Sequence, residues 1–528
     1  MIRRACIAAV LLFSTLSAAS PAAADNSDRH DRLEDSTLAL TLNGLVHGVE
    51  VSGIREFLGI PYAAPPTGAR RWQPPQPHAP WLTPLDATQF GKHCPQPEAL
   101  PAAASASEDC LFLNVYSGSR EHHDLDPVMV WIHGGSLVSG AGSDFDPSAL
   151  VERGHVVVVT INYRLGALGF LAQPALDAEG HKFANYGLMD QQMALEWVHQ
   201  NIAFFGGNPR NVTIFGESAG GQSVISHLTS PDSHGLFDRA IVESGAYALT
   251  IPPLALAEAQ GTAFAASVGC ADLDKAAACL RGVSVPTLVS KEASLYITTQ
   301  DGQVLPAPPI QAFSSGQFNH TPVLQGSNHD EYRLFVATQF DLTGHPLTAA
   351  AYPAAIAAFP SIGVAKTPQV LAEYPLTNFP SPDLALATAM TDTLFSCSAR
   401  RANQLMSNFV PVFEYEFSDE NAPSFLPPVS FPYGAAHAFE LSYLFRLSFL
   451  PAPTFTADQQ TLADTMKGYW TRFAHNGRPN LPDAPHWPKY SASADDILSL
   501  VPPRPALESN FSAVHHCDFW RALSPAFD

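Results

Sequence analysis

Short apolar runs, rich in β-branched residues, recur along the chain and are separated by turns and longer polar segments. Runs that stay apolar almost throughout, without polar alternation, are typical of strands buried on both faces of a sheet. The runs that we interpret as core strands are 111–116, 128–133, 156–162, 212–215, 240–243, 323–326 and 411–417.

Helical patterns lie between these runs. Residues 187–204 place apolar side chains at near-helical spacing, and helices are also predicted over 222–228 and within the alanine-rich residues 251–320. Strands that alternate with helices in this way indicate a doubly wound α/β fold. The proline- and phenylalanine-rich residues 335–450 predict a cap over the C-terminal edge of the sheet, where the active sites of such folds lie.

One predicted strand is followed at once by a candidate nucleophile. Gly216, Glu217, Ser218, Ala219 and Gly220 fit the pattern G-x-S-x-G, with a strand before them and a helix after them. This is the context of a nucleophile elbow, a turn so tight that a Cβ atom at either glycine would strike its neighbours. We expect Ser218 to stand exposed on the turn. The N–H group of Ala219, at the helix start, is free to donate to an anion.

The elbow is part of a longer match. The stretch FGGNPRNVTIFGESAGG at 205–221 resembles the type-B carboxylesterase family, the α/β-hydrolase group that includes cholinesterases and fungal lipases. This resemblance implies a central, mostly parallel sheet flanked by helices, with helical cap insertions, in a single domain over 25–528. Further matches are FLGIPYAAPP at 57–66, EDCLFLNV at 108–115, WIHGGS at 131–136, INYRLGALGFL at 161–171, NYGLMDQ at 185–191, WTRFAHNGRPN at 470–480 and WPKY at 487–490.

An activated serine needs a base and an orienting acid, which follow it in that family in the order Ser, acid, His. The best acid is Glu331, on the loop after the predicted strand 323–326, and it matches the glutamate of a similar turn in the family. Tyr332 replaces the family's usual glycine, and Asp330 remains the alternative acid. His437, in GAAHAFELSYLF, matches the segment that carries the catalytic histidine.

The resemblance also implies the groups around the triad. Gly134 and Gly135 follow a predicted buried strand and resemble the oxyanion loop of lipases and esterases, so with Ala219 they would donate three N–H groups to the oxyanion. Glu217 and Ser244 match positions that lie near the triad in the family. We expect no cofactor, because this chemistry uses side chains and water alone.

The cysteines predict disulfide bonds. Six remain after Cys6, and six cysteines allow 15 pairings. Sequence proximity favours Cys94 with Cys110 and Cys270 with Cys279, which leaves Cys397 with Cys517, and the family resemblance implies the same set.

The N-terminus predicts export. A positive start at Arg3 and Arg4, an apolar run to Ala19 and small residues before Asp25 are typical of a signal peptide cleaved after Ala24. The mature protein is therefore expected to be secreted or periplasmic. No later stretch is apolar enough for us to expect a membrane span.

Charge and histidine usage exclude several partners. A formal net charge of −21 argues against nucleic acid or an anionic membrane as a partner. We expect no metal site, because Cys-x-x-Cys is absent from the sequence and the pairs His122–His123 and His515–His516 are interpreted as solvated surface.

Together these features predict a secreted serine hydrolase that cleaves small carboxylic esters through an acyl-enzyme intermediate. The alternatives are a lipase that acts on longer-chain acylglycerols and a non-catalytic, adhesion-type member of the family. The residues between Cys94 and Cys110 lack an aromatic side chain. Cholinesterases hold their cationic substrate on a tryptophan in the corresponding loop, so we expect little preference for choline esters. The natural ester and the oligomeric state stay open.

Overall fold

The computed structural model describes residues 37–98, 103–118, 124–293 and 295–523. These residues belong to one compact unit that extends over Thr37–Asp528. The predicted signal peptide and the pair His122–His123 lie outside the described residues.

Strands form in every apolar run that the sequence analysis selected, with ends shifted by one to a few residues. The strands of the described residues are β1 (Leu38–Thr41), β2 (Gly44–His47), β3 (Val49–Val51), β4 (Ile54–Pro61), β5 (Leu85–Asp86), β6 (Phe112–Ser117), β7 (Asp126–Ile132), β8 (Phe145–Asp146), β9 (Val157–Ile161), β10 (Gly207–Glu217), β11 (Arg239–Glu243), β12 (Val323–Asn328), β13 (Val412–Phe417), β14 (Arg446–Leu447), β15 (Ile497–Leu500) and β16 (Ala506–Glu508).

Most of these strands join one sheet in the order β16-β15-β13-β12-β11-β10-β7-β9-β6-β4-β3. The run from β9 to β15 is parallel throughout, whereas β16 at one edge and β6, β4 and β3 at the other pair antiparallel. The mixed, mostly parallel sheet confirms the predicted α/β-hydrolase fold. Because the carboxyl ends of β10, β11 and β12 are neighbours, the turns that follow them lie close together.

The core lies on both faces of this sheet. In β7, Met129 and Trp131 belong to one buried cluster, whereas Val128, Val130 and Ile132 belong to the cluster on the other face. Successive side chains of a strand point to opposite faces, so a central strand covered on both sides must be apolar throughout. The unbroken apolar runs in the sequence have this cause.

Helices cover the two faces and follow the strands. The α-helices of the described residues are Ser148–Gly154, Gly166–Phe170, Pro174–Asp177, Tyr186–Asn201, Ala219–Thr229, Leu254–Ser267, Ala276–Gly282, Val285–Val289, Pro309–Ser315, Arg333–Gln339, Tyr352–Ala357, Gly363–Glu373, Pro382–Met390, Cys397–Met406, Leu441–Leu444, Ala457–Asn476, Phe511–Val514 and Cys517–Leu523, with a π-helical turn at Thr391–Ser396. Helices occupy much of the predicted cap, residues 335–450, but this segment also contributes β13 to the core sheet.

Three disulfide bonds join Cys94 to Cys110, Cys270 to Cys279 and Cys397 to Cys517. They are the predicted pairs. Among the residues that the structure describes, every helix is too short or too polar to cross a lipid bilayer.

Candidate active site

Ser218 occupies a sharp corner between β10, which ends at Glu217, and the helix that begins at Ala219. Its φ of 55° and ψ of −121° lie outside the conformations that L-residues prefer. The corner is possible because its neighbours are glycines: a Cβ on Gly216 would lie 2.6 Å from Gly220, and one on Gly220 would lie 1.9 Å from the carbonyl oxygen of Ile132. The local sequence thus specifies a strained corner that presents Ser218.

His437 and Glu331 form a short hydrogen bond between buried side chains. Nδ1 of His437 lies 2.5 Å from Oε2 of Glu331, and the other carboxylate oxygen of Glu331 accepts from the backbone N–H of Asn328 at 2.8 Å. Glu331 is fully buried in the turn after β12. This geometry fixes the orientation of the imidazole ring, which is the role of the acid in a hydrolytic triad.

Asp330, the alternative acid, faces elsewhere. Its carboxylate accepts from the backbone N–H of Ala435 at 3.0 Å and forms an ion pair with Arg333 at 2.7 Å. It therefore ties the turn after β12 to the loop that carries His437. Tyr332 has φ −80° and ψ −3°, a right-handed conformation open to any residue, so the family's glycine is not required there.

Glu217 lies on the other side of the histidine ring. Its Oε1 is 3.1 Å from Nε2 of His437, and that nitrogen has no hydrogen-bond partner among the described residues. Burial alone would lower the pKa of His437, but the carboxylates of Glu217 and Glu331 outweigh it and raise the pKa above 6.5. Burial raises the pKa of Glu217 to about 7. The structure shows no hydrogen bond between Ser218 and His437.

The glycine loop after β7 passes directly over the nucleophile corner. A Cβ on Gly134 would lie 3.1 Å from Cβ of Ser218, and Gly135 has a φ of 99° that only glycine adopts readily. The next residue, Ser136, also has a positive φ of 59°, and its carbonyl accepts from the N–H of Tyr296 at 3.0 Å. Of the predicted oxyanion residues, Gly134 and Ala219 thus lie beside Ser218, and Gly135 follows Gly134 in the same loop.

Two aromatic rings cover the histidine. The ring centroids of Phe335 and Phe395 lie 5.0 Å and 5.2 Å from that of His437. Both belong to the predicted cap segment, so this part of the chain lies over the candidate site. The apolar cover reduces the access of water to the imidazole.

The chain matches one known protein family over most of its length. Residues 35–520 match the Carboxylesterase family. The chain belongs to this family.

Its relatives cover most of its length. The chain is 35% identical to a human cocaine esterase over 92% of this chain and 90% of the relative, and 35% identical to a mouse acylcarnitine hydrolase over 83% and 82%. It is 34% identical to the para-nitrobenzyl esterase of Bacillus subtilis over 88% of this chain and 94% of the relative. The protein is therefore a carboxylic ester hydrolase.

Two buried acids near the candidate site, Glu440 and Glu243, were not predicted from the sequence as site residues. Glu440 is fully buried and accepts a hydrogen bond from the side chain of Asn328, and its pKa is raised well above 4.5 by burial. Glu243 is equally buried at the end of β11, next to Ser244, whose φ is 50°. In the sequence, Glu243 stands out only as a charged residue at the end of an apolar run. Its hydrogen-bond partner, Trp470, lies 227 residues further along the chain.

The interpretation of His515 as solvated surface is wrong. The side chain is only 2% exposed, and its nitrogens lie 2.7 Å from Oδ1 of Asp392 and 2.6 Å from Oε1 of Glu416. His516 does lie partly exposed, as predicted. The two histidines lie in the turn between the helices Phe511–Val514 and Cys517–Leu523, and only His515 is directed towards two buried carboxylates.

His329, Glu416 and His515 form a group that could hold a metal ion, with one ligand atom from each within 4.8 Å of the others. Both nitrogens of His515 already contact carboxylates, which favours a protonated, ion-paired imidazole. Burial would lower the pKa of His515, but its two carboxylate partners raise it to about 10. We interpret the group as a buried ionic cluster.

Proposed function

We propose that this carboxylesterase is an exported serine hydrolase in which Ser218 is the nucleophile, His437 the general base and Glu331 the acid that orients it. The observation that carries the proposal is the 2.5 Å bond between His437 and Glu331, two buried side chains that lie 106 residues apart. Nε2 of the same ring is left without a hydrogen bond beside the residue that precedes Ser218. A triad requires an acid bound to Nδ1 of the histidine and an Nε2 that is free to accept the proton of the nucleophile, and these two features support the proposal.

In the proposed reaction the Ser218 hydroxyl attacks the ester carbonyl while Nε2 of His437 takes its proton. The imidazolium then donates that proton to the departing alcohol, and a serine ester of the acid remains. A water molecule repeats the same steps and releases the acid. Backbone N–H groups of Gly134, Gly135 and Ala219 stabilise the oxyanion. The Ser218–His437 hydrogen bond forms in the substrate complex, since such bonds often tighten only there.

Small esters with varied alcohol groups are the proposed substrates. The relatives are named for acylcarnitine, cocaine, pyrethroid and para-nitrobenzyl substrates, which are chemically diverse. We infer that the site recognises the ester group itself and does not require one particular alcohol. A lipase would instead show a jump in rate when a long-chain substrate exceeds its solubility, and we expect a smooth saturation curve.

Export after cleavage behind Ala24 is part of the proposal. Three disulfide bonds support it, because disulfides persist in oxidising compartments. N-terminal sequencing of the protein recovered outside the cytoplasm should begin at Asp25. Recovery of an intact N-terminus in the cytoplasm would contradict it.

The nucleophile is tested by Ser218→Ala. We expect kcat for an aryl acetate to fall by about 10⁴- to 10⁶-fold, because only binding and oxyanion stabilisation remain. Ser314→Ala, on an exposed serine of the helix Pro309–Ser315, is the matched control and should keep full activity. An organophosphate should label Ser218 alone, as mapped by mass spectrometry. A Ser218→Ala variant with a tenth of the original activity would exclude the proposed mechanism.

A further inference from the structure

Glu243 is a buried acid for which the proposed mechanism has no use. It is fully buried at the end of β11, where Oε1 accepts a hydrogen bond from Nε1 of Trp470 at 3.1 Å. Its Oε2 has no hydrogen-bond partner among the described residues. Trp470 is itself fully buried in the long helix Ala457–Asn476. A buried carboxyl is costly, so its presence at this position calls for a physical reason.

The backbone of Glu243 holds the nucleophile. The N–H group of Ser218 donates to the carbonyl oxygen of Glu243 at 2.9 Å, next to the register pair formed by Glu217 and Glu243. Ser218 and Ser244 both have positive φ values, 55° and 50°. Such conformations persist only where the surrounding structure holds them. The carbonyl of Glu243 therefore lies between two strained residues, and its position sets that of Ser218.

Close packing makes this region sensitive to small shifts. A Cβ on Gly221 would lie 2.7 Å from the same carbonyl oxygen, and one on Gly245 would lie 2.2 Å from Gly221. The strand end and the helix after the elbow are thus in direct backbone contact. A movement of the β11 end would be passed to Ser218, because this contact leaves no room for adjustment.

We propose that Glu243 is a positioning residue for the nucleophile: its side chain anchors the end of β11 to Trp470, and its carbonyl holds the N–H group of Ser218. The inference rests on the proposed role of Ser218 as nucleophile. It assigns to Glu243 no contact with the substrate.

The charge state of Glu243 follows from its surroundings. Burial raises the pKa of its carboxyl to about 8, the hydrogen bond from Trp470 opposes this rise, and the carboxylate of Glu217 adds to it. The other titratable groups near it are Glu440 and the phenol of Tyr415, both acids. The carboxyl is therefore neutral at neutral pH. Its ionisation at alkaline pH places a second negative charge beside Glu217 and disturbs the strand end.

The decisive variant is Glu243→Gln, which keeps an oxygen acceptor for Trp470 and cannot ionise. In the original protein we expect kcat to fall at alkaline pH from near the pKa of about 8, and in Glu243→Gln this fall should be absent or displaced to higher pH. Glu414→Gln is the matched control: burial raises the pKa of Glu414 to about 8 too, but it lies on β13, with no contact to Ser218. That control should keep the original pH profile.

Loss of the anchor is tested by Glu243→Ala and Trp470→Phe. Both remove the bond between the two side chains, and we expect kcat to fall by up to about a hundredfold with KM nearly unchanged, because a small misplacement of a reacting atom is costly. Combining the two should cost little more than either alone, since both break one contact. If both variants fail to fold, the pH profile of Glu243→Gln still decides.

The proposal is overturned if Glu243→Gln and the original protein have superimposable pH profiles, or if a folded Glu243→Ala protein keeps its kcat. Active Ser218→Ala protein would instead exclude the proposed function itself, whatever the Glu243 variants show. An inactive Ser218→Ala protein together with an unaltered Glu243→Gln profile would refute the positioning role alone.

Discussion

Neutralising Glu217 should extend the activity of this carboxylesterase to lower pH. His437 acts as a base only when it is neutral, so kcat/KM falls on the acid side as the imidazole gains a proton. The carboxylate of Glu217, 3.1 Å from Nε2, stabilises the protonated ring and raises its pKa. Glu217→Gln removes this charge, and the pKa of His437 should fall.

The structure sets the size of this shift. Two unit charges 3.1 Å apart interact by about 5 kcal/mol at an effective dielectric constant near 20, which corresponds to about four pKa units. Because burial raises the pKa of Glu217 itself to about 7, its carboxyl is ionised only in part near neutral pH, which weakens this interaction. We therefore expect the acid limb of kcat/KM to move down by about one to two pH units.

The assay is the pH dependence of kcat/KM for an uncharged aryl acetate, normalised to the concentration of titrated active sites. Well below the limb, the variant should keep about 10 to 100 times more of its plateau activity than the original protein, since each pKa unit is tenfold there. Glu420→Gln, on an exposed glutamate, changes the net charge equally and should not move the limb. Superimposable acid limbs for Glu217→Gln and the original protein would refute the reasoning.

Three further outcomes are expected. His515→Gln should lower the free energy of unfolding by about 3–5 kcal/mol, because it leaves Asp392 and Glu416 buried without their cation; His516→Gln should change it little. The pKa of His515 is raised to about 10 in the folded state, so its contribution is full below the unfolded value of about 6.5 and is lost as the pH rises through about 10. Urea unfolding of both variants at a series of pH values checks this, and an equal difference at all pH values would contradict it. Thiol titration of the denatured, unreduced mature protein should find no free cysteine, and two or more per chain would disprove the three disulfides. At physiological salt, kcat/KM for acetylcholine should not greatly exceed that for its uncharged isostere 3,3-dimethylbutyl acetate, since residues 95–109 lack an aromatic ring. A hundredfold preference for acetylcholine would show that an aromatic residue elsewhere binds the cation. Phe335, whose ring lies beside that of His437, would be the first candidate.

The strands were predictable because their signal is local. A central parallel strand is covered on both faces, so its residues must be apolar in succession, and β7 and β9 show this in the sequence as they do in the structure. Strand ends were less well predicted. β10 begins at Gly207, five residues before its apolar run at 212, and the intervening residues are mostly polar and lie where the register with β7 shifts.

The nucleophile corner was also predictable, for a related reason. A backbone turn that brings Gly216 within contact of Gly220 excludes any side chain at either position, so the constraint appears as glycines at fixed spacing around Ser218. The position of Ala219 as the first residue of the following helix was predictable from the same short stretch of sequence. Such features need no knowledge of the remaining chain.

Partners distant in sequence were decided by the tertiary structure. Glu331 and Asp330 are adjacent acids on one turn, and only the packing of the loop at His437 directs one to the imidazole and the other to Ala435. His515 looked like a surface residue until the fold brought two carboxylates to it from other elements.

The sequence by itself determined the fold class, the elbow at Ser218 and the family, because each of these is encoded in contiguous residues whose spacing obeys local sterics and periodicity. Only the tertiary structure decided the charge states of the buried acids. The pKa of Glu217 or Glu243 depends on how much water is excluded and on which charges lie within a few ångströms. Those neighbours come from β10, β11 and the loop around His437. Local sequence patterns do not predict that these three segments are in contact.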